Sequence, residues 1–70
     1  MKKFADWIVN NDKKQRGIAK KLGISTSTLH DILRKGQLPS FKVAYDIEIY
    51  TNGEITLYDW FDEKINLENK

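Results

Sequence analysis

The sequence predicts an all-α fold of five short helices. In each of five stretches, apolar residues recur three and four positions apart, which is the spacing of a helix with one buried face. Gly23 and Gly36 follow two of these stretches, at positions where a left-handed glycine ends a helix at little cost. Ser25, Ser40 and Thr56 precede three others, where a hydroxyl oxygen can accept a hydrogen bond from the first helical turn.

Length and composition narrow the class of protein. Seventy residues suit one domain, which we expect over residues 1–65, with a frayed tail at 66–70. The chain has no cysteine and one histidine, so neither a disulfide nor a metal site is expected. Nothing in the sequence indicates a catalytic set, a phosphate loop or a cofactor, so we do not expect an enzyme. The longest apolar run is far below the roughly 20 residues of a membrane span. No signal peptide is visible, and a soluble cytoplasmic protein is expected.

Charge is divided unevenly along the chain. Residues 1–42 hold ten Lys or Arg and three Asp, a formal charge of +7, whereas residues 43–70 hold two Lys and seven acidic residues, a charge of −5. A basic first part suits a partner that carries phosphate groups, because the summed positive field attracts anions. The acidic second part is expected to face away from such a partner, and it can receive a protein.

The first helix is predicted at residues 2–9, where Phe4, Trp7 and Ile8 share one face. The polar corner that follows ends this helix. Asn11 or Asp12 in that corner is expected to cap the second helix, which is predicted at residues 13–22.

The second and third helices form a predicted helix-turn-helix between Gln15 and Gly36. The inward-facing residues are Ile18, Ala19 and Leu22 in the first helix and Leu29, Ile32 and Leu33 in the second. Gly23 makes the turn, Ser25 caps the helix that follows, and the small Ala19 allows the two helices to cross closely. This pattern points to sequence-specific DNA binding.

The helix at residues 25–34 is the predicted recognition helix, and its outer face carries the candidate base-reading residues. Residues in its amino-terminal half meet base edges when such a helix enters the major groove. The candidates are Thr26, Ser27, His30 and Asp31. Hydroxyls donate or accept, and a histidine can donate to guanine. Two roles stay open for Asp31, which either accepts from a cytosine amino group or repels phosphates and so restricts the register.

This stretch resembles the helix-turn-helix of the Cro and repressor proteins of lambdoid phages, the XRE-type regulators. In that family a glutamine opens the motif, an alanine and a glycine follow at four-residue steps, and apolar residues come six and nine positions after the glycine. The matching residues are Gln15, Ile18, Ala19, Leu22, Gly23, Ile24, Ser25, Ser27, Leu29, Ile32 and Gly36. The segment from Pro39 to Trp60 resembles, more weakly, the fourth and fifth helices of small prophage Cro-like members. The resemblance implies a λ-repressor-like arrangement.

A second group of residues is expected to bond DNA phosphates. The resemblance implies this role for Gln15 and for the loop after the recognition helix, while charge and exposure suggest the others. The full group is Lys14, Gln15, Ser25, Arg34, Lys35, Gln37, Ser40 and Lys42.

Gly17 lies inside the second helix, where glycine costs about 1 kcal/mol relative to alanine. It indicates either close approach to a neighbour or to DNA, or a tolerated imperfection.

Residues 41–51 are ambiguous between a helix and a strand. Alternating apolar residues and the pair Asn52-Gly53 favour a β-hairpin over residues 45–58, as in sheet-containing Cro proteins. We predict a helix instead, because Ser40 caps well and Thr56 precedes an acidic residue by three positions, as in a capping box. Asn52-Gly53 then ends the fourth helix, and a fifth follows.

The predicted function is that of a Cro-like repressor in a bacterial cell or a phage-infected host. It would bind double-stranded DNA at an inverted-repeat operator as a homodimer. Trp60 and Phe61 are expected either to complete the core or to form the dimer contact, since aromatic residues are enriched in interface cores. The alternative is an antitoxin or another protein-interaction module, whose acidic face binds a protein while DNA binding is secondary.

Overall fold

The structure is a computed structural model that describes residues 1–60. Its helices are α1 Lys2–Asn10, α2 Gln15–Leu22, α3 Thr26–Arg34, α4 Phe41–Tyr50 and α5, which begins at Leu57. No strand occurs among the described residues, so the predicted all-α fold is confirmed and the hairpin alternative is wrong. Phe61 and the predicted tail at 66–70 lie outside the described residues.

The chain divides into two compact units, Met1–Leu38 and Pro39–Lys70. The first unit contains α1, α2 and α3, and the second contains α4 and the start of α5. The expected single domain over residues 1–65 stays a prediction.

The corner between α1 and α2 differs from the sequence prediction. Neither Asn11 nor Asp12 caps α2, because both residues end α1. The Asn11 amide donates to the carbonyl of Trp7 at 2.8 Å, and Asp12 adopts the left-handed conformation with φ +54°. The N-cap of α2 is Lys14, which makes no side-chain capping hydrogen bond. The free N–H groups of the first turn of α2 are therefore left for another acceptor.

The core of the first unit is formed by one face of each helix. Its buried apolar residues are Met1, Phe4, Ile8, Ile18, Ala19, Leu22, Leu29, Ile32 and Leu33. All six inward positions predicted for the helix-turn-helix are among them. Ala19 is 2% exposed, as expected for a small residue at a close helix crossing. Between the two helices, Gly23 takes φ +72° and the Ile24 N–H donates to the Ala19 carbonyl at 3.0 Å. This is the Schellman ending that a left-handed glycine allows.

A contact that the sequence does not reveal holds the carboxyl end of α3. The Met1 ammonium donates to the carbonyls of Ile32 and Leu33, at 2.8 and 2.9 Å, in a buried position. The last carbonyls of a helix have no partner within the helix, and the helix dipole favours a positive charge there. The amino terminus therefore stabilises the third helix of the unit.

The helix caps predicted for the second unit are present in the structure. The Ser40 hydroxyl accepts from the Val43 N–H at 3.3 Å, which begins α4. Thr56 and Asp59 form the predicted capping box. The Asp59 carboxylate accepts a hydrogen bond from the Thr56 N–H at 2.7 Å, and the Thr56 hydroxyl oxygen accepts one from the Asp59 N–H at 3.3 Å. At the other end of α4, Asn52 takes φ +56°, so the pair with Gly53 ends a helix as predicted.

Thr51 joins α4 to the segment that leads to α5. Its side chain is 1% exposed. The hydroxyl donates to the Ile47 carbonyl at 2.8 Å and accepts from the Ile55 N–H at 3.0 Å. The hydroxyl thus satisfies a buried backbone donor, which would otherwise cost free energy.

Trp60 is 5% exposed. This burial agrees with the first role considered for Trp60, which is to complete the core. A side chain that its own chain covers offers little surface to a partner, so a dimer contact of Trp60 stays a prediction.

Candidate nucleic-acid interface

The third helix presents two distinct faces. Its inner face holds Leu29, Ile32 and Leu33, which are at most 4% exposed. The burial of this face turns the opposite side chains toward solvent. The exposed ones are Thr26, Ser27, His30 and Arg34, and Asp31 is half-buried. The amphipathic pattern alone therefore accounts for which side chains of α3 are available.

An open concavity lies along the exposed face of α3. It is lined by Gln15, Thr26, Ser27, His30, Asp31 and Lys35. The structure thus brings together all four predicted base-reading residues and two of the residues predicted to bond phosphates. Gln15 is the first residue of α2 and is half-buried, so α2 contributes one wall of the concavity. Contact of these side chains with DNA stays a prediction.

Asp31 lies between two basic side chains of this surface. Its carboxylate is 3.7 Å from the Lys35 ammonium and 3.8 Å from Nδ1 of His30. Both partners are largely exposed, so each pair contributes little to the free energy of folding. The arrangement still matters electrostatically, because the Lys35 ammonium offsets the negative charge of the Asp31 carboxylate. Lys35 and Asp31 both line the concavity.

Ser25 begins α3, as predicted from its position. Its oxygen accepts from the Thr28 N–H at 3.0 Å, and its hydroxyl donates to the Thr28 hydroxyl at 2.9 Å. The hydroxyl proton is therefore already used, and Ser25 has none to donate to a phosphate in this conformation. Its phosphate contact remains a prediction. Thr28 is not one of the candidate residues. Its position could have been noticed, because the oxygen of an N-cap residue accepts from the backbone N–H three residues later.

The amino end of α2 has the properties of a phosphate site. Lys14 is exposed at the N-cap and makes no side-chain capping hydrogen bond. Free N–H groups and the positive end of the helix dipole attract anions. Gly17 in the first turn has no atom within 4 Å of the place where a Cβ would stand. Close approach to a neighbour within the chain is thus excluded for Gly17 among the described residues, whereas approach to DNA is still open.

The remaining phosphate candidates lie toward the carboxyl end of α3 and in the second unit. Arg34, Lys35 and Gln37 are exposed in the first unit. Ser40 and Lys42 belong to the second unit, where Ser40 caps α4 and the Lys42 ammonium bonds Asp46 at 2.9 Å. Their roles toward DNA stay predictions.

A family model described as Helix-turn-helix (HTH_3) matches residues 6–57. The match covers most of the chain and includes α2, the Gly23 turn and α3. The chain belongs to this XRE-type helix-turn-helix family. The family consists of DNA-binding regulatory domains and is not a family of enzymes, so the chain is a DNA-binding transcription regulator. No curated protein and no solved structure matches it.

Residues 1–60 hold neither a candidate membrane-spanning helix nor a candidate metal-binding cluster. None of the helices described there is long and apolar enough to cross a membrane. The same residues contain no group of three or more His, Cys, Asp or Glu side chains that could hold a metal ion.

Proposed function

We propose that this regulator is a Cro-like repressor that binds an inverted-repeat operator as a homodimer. The observation that supports the proposal is the concavity over α3, where hydroxyl, imidazole and carboxylate groups lie beside Gln15. In this docking geometry the amino-terminal residues of the second helix meet base edges in the major groove. Family membership supports DNA binding, and the operator and the repressor activity are our inference.

Within that concavity, we assign base reading to Thr26, Ser27, His30 and Asp31. Ser27 and His30 are exposed one helical turn apart, so both reach outward from the same side of α3. Hydroxyl and imidazole groups can donate to N7 or O6 of guanine, and the Thr26 methyl suits a thymine methyl. The charged residues at the carboxyl end of α3 position the protein on the backbone and read no sequence.

Dimeric binding sets the form of the operator. Two recognition helices related by a two-fold axis enter successive major grooves, so half-sites should lie about 34 Å apart as an inverted repeat. Repression would follow from occupancy, because a bound dimer blocks access of polymerase to a promoter. The site of action would be the cytoplasm of a bacterial cell or a phage-infected host.

In vitro selection from a random duplex library tests this function. We would select at about 0.15 M salt, where much non-specific attraction is already screened. Enrichment of an inverted repeat with half-sites one helical turn apart is the expected result, and it would yield the operator. Weak, salt-sensitive binding to every sequence would overturn the proposal. The antitoxin or protein-interaction alternative, with its acidic face as the binding surface, would then take its place.

Substitutions then separate base reading from positioning. Ser27→Ala and His30→Ala should each relax preference at one operator position, with about 1–3 kcal/mol lost on the preferred sequence. Arg34→Ala should weaken binding to all sequences alike and reduce the salt slope by about one. The same loss of preference in all three variants would contradict the division of roles.

A substitution of Asp31 distinguishes the two roles considered for it. Asp31→Asn removes the charge that lies 3.7 Å from the Lys35 ammonium but keeps the shape of the side chain. If Asp31 only repels phosphates, this variant should bind every duplex more tightly with unchanged preference. If Asp31 accepts from a cytosine amino group, the preference at one position should change. The selected library provides both readouts in one experiment.

A further inference from the structure

Three large apolar side chains lie exposed along α4. Phe41, Tyr45 and Ile49 are 73%, 48% and 61% exposed. They are four residues apart, so they form one continuous row on the helix, which we call the α4 stripe. At about 100° per residue, the stripe points away from the face that buries Ala44 and Ile47.

The α4 stripe differs from ordinary surface exposure. Single exposed apolar residues, such as Val9 at 74%, are common on soluble proteins. Three in line on a helix of ten residues leave a contiguous apolar surface in water, and such surfaces mark interaction sites. Helix capping does not explain the stripe, because the Ser40 hydroxyl caps α4 independently of it.

We propose that the α4 stripe binds the same stripe of a second copy of this chain, antiparallel, with the two-fold axis at Tyr45. This inference deepens the proposed dimer by naming its contact surface. Antiparallel packing about that axis brings the two Tyr45 rings together and places each Phe41 opposite Ile49 of the second copy. Every position of the stripe then meets an apolar partner, as a self-complementary two-fold interface requires.

The charges on one flank of the stripe suit a second copy. Lys42 and Asp46 lie along one flank, with their charged atoms 2.9 Å apart. The flank is neutral overall and does not repel its own copy. Successive residues rise by about 1.5 Å along a helix. With the two-fold axis at Tyr45, the positions of Lys42 and of Asp46 in the second copy therefore differ by only about 3 Å in height along the helix axis. Lysines and aspartates therefore alternate beside the apolar contact.

The size of the stripe sets the strength of the dimer. A side chain of this size can bury about 150–250 Å² in total. The exposed fractions of these three side chains therefore amount to roughly 300–400 Å² per copy. Two copies together bury less than the about 1,200 Å² at the lower end of specific, stable interfaces. The free protein should thus dimerise weakly, and two adjacent half-sites on DNA should favour the dimer by raising the local concentration.

Sedimentation equilibrium of the full chain without DNA tests the inference. The wild type should self-associate between about 10 µM and 1 mM, the range expected for a small interface. Tyr45→Lys and Tyr45→Glu should each weaken association about a hundredfold, because like charges then meet at the axis. An equimolar mixture of these two variants should restore the dimer. Val9→Lys is the control, since it replaces an apolar residue of the first unit that is 74% exposed, and it should leave association unchanged.

Several results would overturn the inference. A wild type that stays monomeric over the whole range assigns the stripe to another occupant, either a different protein or another segment of the same chain. Unchanged association of the Tyr45 variants places the interface elsewhere, and a mixture that stays monomeric rules out the antiparallel contact at Tyr45. Circular dichroism checks that the variants fold, and Ile49→Lys replaces any that does not.

The DNA selection distinguishes this failure from failure of the proposed function. Self-association without sequence-selective DNA binding would leave the α4 contact intact and reject the repressor. Selection of an inverted repeat by a protein whose association the Tyr45 variants do not weaken would reject the α4 contact and leave the proposed repressor intact.

Discussion

Two glycines of the helix-turn-helix should respond in opposite directions to the same substitution. Gly17 lies within α2, has no atom within 4 Å of an added Cβ, and is exposed. Alanine there removes the entropic disadvantage of glycine in a helix, so Gly17→Ala should raise the free energy of unfolding by about 0.5–1 kcal/mol. Gly23 also has open space around it, but its φ is +72°.

The conformation of Gly23 decides the sign of the second change. A residue with a Cβ in the left-handed region costs about 1–2 kcal/mol, so Gly23→Ala should lower the free energy of unfolding by about 1 kcal/mol after the entropic gain is subtracted. Gly23→Asn should cost less, because asparagine tolerates this region more readily. The chain itself uses Asp12 and Asn52 at φ +54° and +56°.

Thermal unfolding followed by circular dichroism measures both effects. For a domain of 60–100 residues, about 1 kcal/mol corresponds to a shift in Tm of roughly 4–8 °C. The two alanine variants should therefore move Tm apart, upward for Gly17→Ala and downward for Gly23→Ala. A shift of both in the same direction would refute the reasoning from backbone conformation. DNA binding adds a second readout for Gly17→Ala, since weaker binding by a more stable protein would indicate that phosphate approaches α2 at this glycine.

Three other substitutions test contacts of the two units by the same measurement. Thr51→Val keeps the shape but leaves the buried Ile55 N–H without its acceptor, so stability should fall by about 1–3 kcal/mol, and an unchanged Tm would mean that the N–H finds another partner. Ser25→Ala removes the acceptor of the Thr28 N–H and should cost about 1 kcal/mol, whereas Ser25→Asp should keep most of the stability; equal losses would argue against capping. Ala19 is 2% exposed, so Ala19→Leu should overpack the helix crossing and lower the free energy of unfolding by about 1–3 kcal/mol. An unchanged free energy of unfolding would contradict a close crossing there.

Local signals in the sequence predicted the ends of the helices well. Ser25, Ser40 and Thr56 all cap as expected, because a capping hydrogen bond joins residues only three positions apart. The corner at Asn11 and Asp12 was predicted wrongly for a related reason. Asparagine and aspartate suit both the start of one helix and the left-handed end of another, and the short-range pattern does not choose between these roles.

The choice between helix and hairpin after Ser40 shows where local reasoning reaches its limit. The alternation of apolar residues favours a hairpin, whereas the pair Asn52-Gly53 suits either a hairpin turn or the end of a helix. In the structure α4 buries Ala44 and Ile47, and its C-cap Thr51 is buried with them and accepts from the Ile55 N–H at 3.0 Å. Packing and the satisfaction of a buried donor thus accompany the helix, and neither can be read from the local pattern of the sequence.

The sequence by itself determined the helix-turn-helix, since the periodicity of apolar residues sets the buried face of α3 and leaves its hydroxyl and charged residues outside. Tertiary structure decided which groups become neighbours across the chain. It brought Gln15 of α2 to the concavity over α3, anchored the Met1 ammonium on the carbonyls of Ile32 and Leu33, and left the α4 stripe exposed. Contacts between distant residues depend on how helices pack, and periodicity within one helix carries no information about its neighbours.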